Sequence, residues 1–161
     1  MPTRIQRQRT RGWRKPDNCV IVDRTSRFGN PFTIAEATEL GYDEPRTASV
    51  GAFKEWIRGN RDMWQSDEGD QRRERILASL HLLRGKDVAC PCGEGEACHG
   101  DDLLELANRP DLDEWIGRVR ARVERNRTWR GEDPMYSAGD ASAQARQDDF
   151  QLVKAPPLEE K

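Results

Sequence analysis

Three of the four cysteines and one of the two histidines crowd into one short segment, Cys90-Pro91-Cys92-Gly93-Glu94-Gly95-Glu96-Ala97-Cys98-His99-Gly100-Asp101-Asp102. Thiols and an imidazole this close together can hold a soft metal, supply a nucleophile with a base, or pack as small core residues. As a metal set, Cys90, Cys92, Cys98 and His99 would complete one tetrahedral zinc. The spacing argues against this set. Common structural zinc pairs leave two to four residues between ligands, whereas one residue separates Cys90 from Cys92 and none separates Cys98 from His99. As a catalytic set, Cys98 stands just before a helix start, where the dipole favours thiolate over thiol. His99 would serve as acid or base, and Asp101 or Asp102 would orient it. The same helix start could hold a ligand phosphate, with Cys98 as a wall. In the packing alternative, Cys90 follows Val88 and Ala89 into the core.

A second segment has ligand chemistry. Arg24 and Arg27 present planar forks suited to phosphate or carboxylate, Gly29 allows close backbone approach, and Asn30 offers both a donor and an acceptor to a sugar or base. The competing reading of Gly29-Asn30-Pro31 is a plain turn with solvated arginines.

Both segments need elements to position them. Residues 19–23 hold a β-branched run that reads as a buried strand, and residues 34–40 read as a helix capped by Thr33 or Asn30 and ended by Gly41. Val50, Phe53, Trp56 and Ile57 share one face of a helix within 46–60, and Ile76, Leu77, Leu80 and Leu83 mark another over about 71–83. Residues 86–89 form a second strand, followed by helices over 101–107 and from 111 to about 125. The resulting fold class is α/β: a small single domain with a short parallel sheet flanked by helices. If the two strands are parallel neighbours, both chemistry-bearing loops leave their carboxyl ends, where such sheets place ligand crevices.

Charge is uneven along the chain. A formal net charge of −2 conceals residues 1–16, which carry Arg4, Arg7, Arg9, Arg11, Arg14 and Lys15 and no acid. This basic arm could meet nucleic acid through Arg9, Arg11 and Arg14, with Trp13 stacking on a base, or fold over the crevice as a lid. Hydrophobic residues make up 35% of the chain, which favours a core domain over 17–125 and a mobile tail over 126–161, with Phe150, Leu152 and Val153 as a docking segment. No apolar run is long enough for a membrane span, so a cytoplasmic protein with reduced thiols and no membrane partner is expected. Cys19 reads as core, and His81 as a packed or solvent-edge residue.

Arg24 with Gly29-Asn30-Pro31-Phe32, followed by Cys90, Cys92 and Cys98-His99-Gly100-Asp101 with Leu103 and Leu104, resembles a small phage and bacterial family, the domain of unknown function 4326. Arg9, Gly12-Trp13-Arg14 and Pro16 extend the likeness, which runs from about residue 4 to 108. It departs from the expected pattern in having Phe28 in place of a tryptophan and Pro91 as the spacer between Cys90 and Cys92. The resemblance implies an intracellular, often phage-encoded α/β domain and brings no activity with it.

The expected function is therefore an enzyme or enzyme-like domain that binds a nucleotide, nucleoside or related phosphorylated small molecule between the 24–31 and 90–102 loops. The alternative is a non-catalytic nucleic-acid or protein-binding module stabilised by zinc, including a phage-encoded inhibitor of a host protein.

Overall fold

Val20, Ile21, Val88 and Ala89 are short or β-branched, fit a pleated surface and carry no polar group to satisfy. They form two neighbouring strands of a three-stranded sheet. The computed structural model describes residues 1–132. In it, β1 (Arg4–Gln6), β2 (Cys19–Ile21) and β3 (Asp87–Cys90) run parallel in the order β1-β3-β2. Arg4 pairs with Val88 and Gln6 with Cys90 on one side of β3, and Cys19 pairs with Asp87 and Ile21 with Ala89 on the other.

The outermost strand corrects the expected arm. Residues 4–6 are sheet, and the Arg7 amide continues the ladder to the Cys90 carbonyl at 2.8 Å. Only Ile5 in this stretch is apolar, so no alternation announced a strand. The pairing is supplied by β3, whose edge would otherwise expose unpaired backbone groups.

The helices follow in chain order: α1 (Ile34–Glu39), α2 (Pro45–Ile57), α3 (Asp67–Leu77), α4 (His99–Ala107) and α5 (Leu112–Glu132). Thr33 caps α1, with a reciprocal bond from its backbone to Glu36. Such a box satisfies two otherwise orphaned amides. Pro45 opens α2, where its missing N–H costs nothing. α3 begins earlier than its apolar stripe suggests, because Ser66 caps it and Asp67, Glu68 and Asp70 sit at its positive end. It also ends earlier, at Leu77 with Ala78 as its C-cap, and Leu80–Leu83 continue as a 3-10 turn. α5 passes the expected stop at 126 and reaches Glu132. Residues 133–161 of the expected tail, including Phe150, Leu152 and Val153, lie outside the described residues.

Phe53, Trp56 and Ile57 of α2 meet Ile76 and Leu77 of α3, Leu80, Leu83, and Leu103 and Leu106 of α4 in one buried cluster with Val22 and Val88. Burying each large apolar side chain contributes about 1.5–3 kcal/mol. Arg73 lies in the same layer, 1% exposed. Its Nε donates to the Trp56 carbonyl and its Nη1 to Asp70, both at 2.7 Å, and the guanidinium lies 5.1 Å from the Trp56 ring. A buried cation is tolerated when it is paired in this way. Among the described residues no helix is long and apolar enough to cross a membrane.

Candidate functional site

Because β2 and β3 are parallel neighbours, the chain leaves both at the same edge of the sheet. The loop after β2 and the loop after β3 enclose a cleft of about 490 Å3. Its walls include Asp23, Arg24, Thr25 and Asn30 from the first loop and Cys90, Pro91, Cys92 and Cys98 from the second. Ala97 and His99 also border it, and Arg9 from the arm and Arg46, Ser49 and Val50 from α2 complete it, with Phe32 and Ile34 contributing an apolar side.

The first loop is built around Asp23. Its Oδ1 accepts from the Thr25 amide at 3.0 Å and the Thr25 hydroxyl at 2.6 Å, and its Oδ2 meets the Arg7 guanidinium. Burial works to raise the Asp23 pKa, but the Thr25 bonds and the Arg7 charge outweigh it and hold the carboxyl below its ordinary value. Asn30 is buried and fully engaged. Its Nδ2 donates to the Ser49 carbonyl and hydroxyl at 3.2 and 3.1 Å, while its Oδ1 accepts from the Phe32 amide at 2.9 Å. Those bonds fasten the loop to α2, so Asn30 borders the cleft as a strut whose amide nitrogen is engaged by Ser49. Gly29 also serves the loop itself. A Cβ there would lie 2.6 Å from the Arg24 carbonyl oxygen and 2.7 Å from its Cα, a backbone contact no side chain can make. Arg27 is exposed and does not line the cleft; Arg24 does.

The second loop brings sulfur together. Cys90, Cys92 and Cys98 have their Sγ atoms within 4.8 Å of one another, and those of Cys90 and Cys92 lie 3.3 Å apart. Cys98 is the N-cap of α4, its sulfur accepting from the Gly100 amide at 3.4 Å. Arg46 Nη1 donates to the Cys92 sulfur at 3.4 Å. Arg4 braces the backbone of the loop from the other side, donating to the carbonyls of Cys92, Gly93 and Glu96 at 3.3, 3.2 and 3.1 Å. A hydrogen bond from Cys98 draws the Cys90 thiol down to about 6 against the opposing effect of burial. In return, the bond to Cys90 pushes Cys98 up, and burial followed by the Cys90 contact pushes Cys92 up. The cluster thus gives up a first proton readily and the others reluctantly.

His99 does not belong with the sulfurs, which removes it from the expected zinc set. Cys98 is the extended N-cap residue and His99 the first helical one, so their side chains leave the backbone in different directions. Cys98 faces the cluster, and the His99 ring turns to the Val22 carbonyl, 2.8 Å from Nε2, and packs edge-on to Phe53 at 5.2 Å. A carbonyl can only accept, so Nε2 carries the proton. Burial lowers the His99 pKa, with the bonds to the Val22 and Phe28 carbonyls working against the fall. Nor does Asp101 orient that imidazole; it is paired with Arg4 at 2.9 Å. Cys98, His99 and Asp101 therefore do not form the relay that their adjacency suggested.

The arm divides along its length. Arg4 and Arg7 are spent on Asp101 and Asp23, whereas Arg9 reaches the cleft. Arg11, half-buried Trp13 and Arg14 line no part of it. Asp23, Arg4 and Arg46 were not singled out from the sequence as site residues. A strand-end carboxylate was visible in Asp23, but Arg4 and Arg46 become relevant only once β1 and α2 are placed.

The model of a family described as a domain of unknown function (DUF4326) matches residues 5–109. The chain belongs to this family. The matched region takes in all three strands, both loops and α4, and so the whole of the cleft. No curated protein and no solved structure is significantly similar to the chain.

Proposed function

We propose that the DUF4326 domain of this protein is an enzyme-like unit whose cleft binds a phosphorylated, nucleoside-like small molecule. The observation that carries this reading is the convergence of Arg9, Arg24 and Arg46 on one cleft that also has the apolar side Phe32, Ile34 and Val50. Among the described residues, neither Arg9 nor Arg24 is held in an ion pair. Guanidinium groups grip phosphate oxygens in a fork, and an apolar wall accepts a planar ring, so a mononucleotide satisfies both sides at once. Asp23 is kept ionised at the end of β2 and can accept from a ligand hydroxyl. Cleft position at the carboxyl ends of parallel strands is where α/β sheets place such ligands.

The test is thermal unfolding of the full chain with adenosine, guanosine, cytidine and uridine monophosphates and with inorganic phosphate. A ligand at a hundred times its dissociation constant stabilises by about 2.7 kcal/mol. A mononucleotide should raise Tm more than phosphate alone does, and Arg24→Ala should remove about half of the rise. If none of these ligands shifts Tm at millimolar concentration, the reading is wrong.

A further inference from the structure

We propose that Cys90, Cys92 and Cys98 hold one zinc-class metal ion as a three-thiolate site whose fourth coordination position opens into the cleft. This goes beyond the anion-binding reading and stands without it, because it rests on the sulfurs alone.

Geometry comes first. A tetrahedral ion with metal–sulfur distances of about 2.3 Å holds its sulfurs about 3.8 Å apart. Here the sulfurs of Cys90 and Cys92 are 3.3 Å apart and all three lie within 4.8 Å of one another. Shifts of well under an ångström per sulfur bring them onto one ion. Three thiols at β3's end, its following turn and α4's N-cap come from separated positions, so no strained turn between adjacent ligands is needed. The objection to adjacent ligands disappears with His99 turned to Val22, and the short spacing of Cys90 and Cys92 is answered by their sulfurs already lying 3.3 Å apart.

Charge and surroundings agree with this. Three thiolates and a divalent ion leave one negative charge. Arg46 donates to the Cys92 sulfur and the Gly100 amide to that of Cys98, while Arg4 fixes the Cys92 carbonyl. Donors to ligating sulfur and clamps on the ligand backbone are the usual outer support of such sites. By contrast Cys19, the remaining cysteine, is 3% exposed in β2, belongs to no such cluster and is an ordinary core residue.

The open position follows from what is missing around the sulfurs and what faces them. Among the described residues, no further histidine, cysteine, aspartate or glutamate joins the cluster. All three cysteines line the cleft. The fourth ligand would be a water or a donor atom of the bound small molecule, and closed structural sites differ from this by using a fourth protein ligand. Soft thiolate donors select zinc over magnesium or calcium.

The experiment uses the full chain purified under reducing conditions without chelator. Metal analysis should give about one zinc per chain, and the cobalt-substituted protein should show thiolate charge-transfer bands with the intense visible bands of tetrahedral coordination. Adding azide should shift the visible bands. His99→Gln, which can still donate to Val22, should keep full metal, and Cys92→Ser should lose it. Arg46→Gln should weaken zinc binding by about ten- to a hundredfold. A protein without zinc that also takes up no cobalt overturns the site. Full metal with a cobalt spectrum indifferent to azide, or loss of metal in a folded His99→Gln, overturns the open position. Nucleotide stabilisation measured on metal-loaded and chelator-treated protein reports separately on the anion-binding reading.

Discussion

Two loops meet over the same sheet edge, and their polar groups are disposed in opposite ways. In the loop after β2, the Asp23 carboxylate is bonded to Thr25 and Arg7, the Ser26 hydroxyl donates to the Asp23 carbonyl, and Asn30 is tied to Ser49 and Phe32. Nearly everything polar there is consumed in fixing the loop's shape and tying it to Arg7 and α2. In the loop after β3, the backbone is held from outside by Arg4, and three sulfurs are left facing one another and the cleft. A loop whose polar side chains are spent on structural bonds makes a rigid wall; a loop held through its backbone can leave reactive side chains facing the cleft. The difference separates residues that shape the cleft from those that act in it, and substitutions in the two loops should fail in different ways.

The largest effect should come from the wall. Gly29→Ala drives a methyl group into the Arg24 backbone at 2.6–2.8 Å, where no side chain can swing aside. It should cost about 3 kcal/mol, at the upper end of ordinary overpacking. Urea unfolding would read this as a lowered midpoint; an unchanged midpoint would mean the loop yields freely and is no rigid wall. Asn30→Ala comes next. It strips a partner from the Phe32 amide and from Ser49 in a buried setting, and should cost about 2 kcal/mol. Asn30→Asp should do no better, since it loses the donor to the Ser49 carbonyl.

Much of the wall, and little of its internal bonding, could be read before the fold. The turn at Gly29-Asn30-Pro31 and the Thr33 cap are local, set by one residue's conformation or one side chain's reach. The parallel pairing of β2 and β3 followed from two apolar runs separated by helices. The use of Asn30 as a strut did not, because Ser49 lies nineteen positions away and becomes its neighbour only when α2 packs. The same holds for Arg4 and the sulfurs: |i−j| of 88 and 89 separates Arg4 from the carbonyls of Cys92 and Gly93 it braces. His99 was misplaced for a local reason. Its neighbour Cys98 suggested a shared target, whereas the change from the extended N-cap backbone to the helix sends the two side chains to different places.

His99 links the two loops, and its titration measures how firmly. Its pKa is lowered by burial, so between the folded value and the ordinary value of about 6.5 the unfolded chain binds more protons than the folded one. Stability therefore rises with pH across that window; the contribution is complete above about 6.5 and lost as pH falls toward the folded value. The slope from this one group is at most about 1.4 kcal/mol per pH unit. Unfolding free energies between pH 5 and 7.5 should show the slope in the wild type and a shallower one in His99→Gln. Equal slopes would mean the imidazole is not held neutral against Val22.

The smallest effect, and the sharpest test of the division between shaping and acting, comes from two arginines three positions apart. Arg24 lines the cleft and Arg27 does not, yet both are exposed and neither is held in an ion pair among the described residues. Exposed groups of this kind change stability by no more than about 0.5 kcal/mol on truncation. Arg24→Ala and Arg27→Ala should thus unfold like the wild type. In mononucleotide binding they should part: Arg24→Ala weakens it about tenfold, the equivalent of one charge-assisted contact of about 1.4 kcal/mol, while Arg27→Ala leaves it unchanged. Calorimetric titration of the two variants side by side measures this. Equal losses would show that the loop attracts its ligand through summed surface charge, and raising the salt concentration would then abolish both effects together; a loss confined to Arg24 places the contact inside the cleft, because a directed fork is less sensitive to screening than a diffuse field.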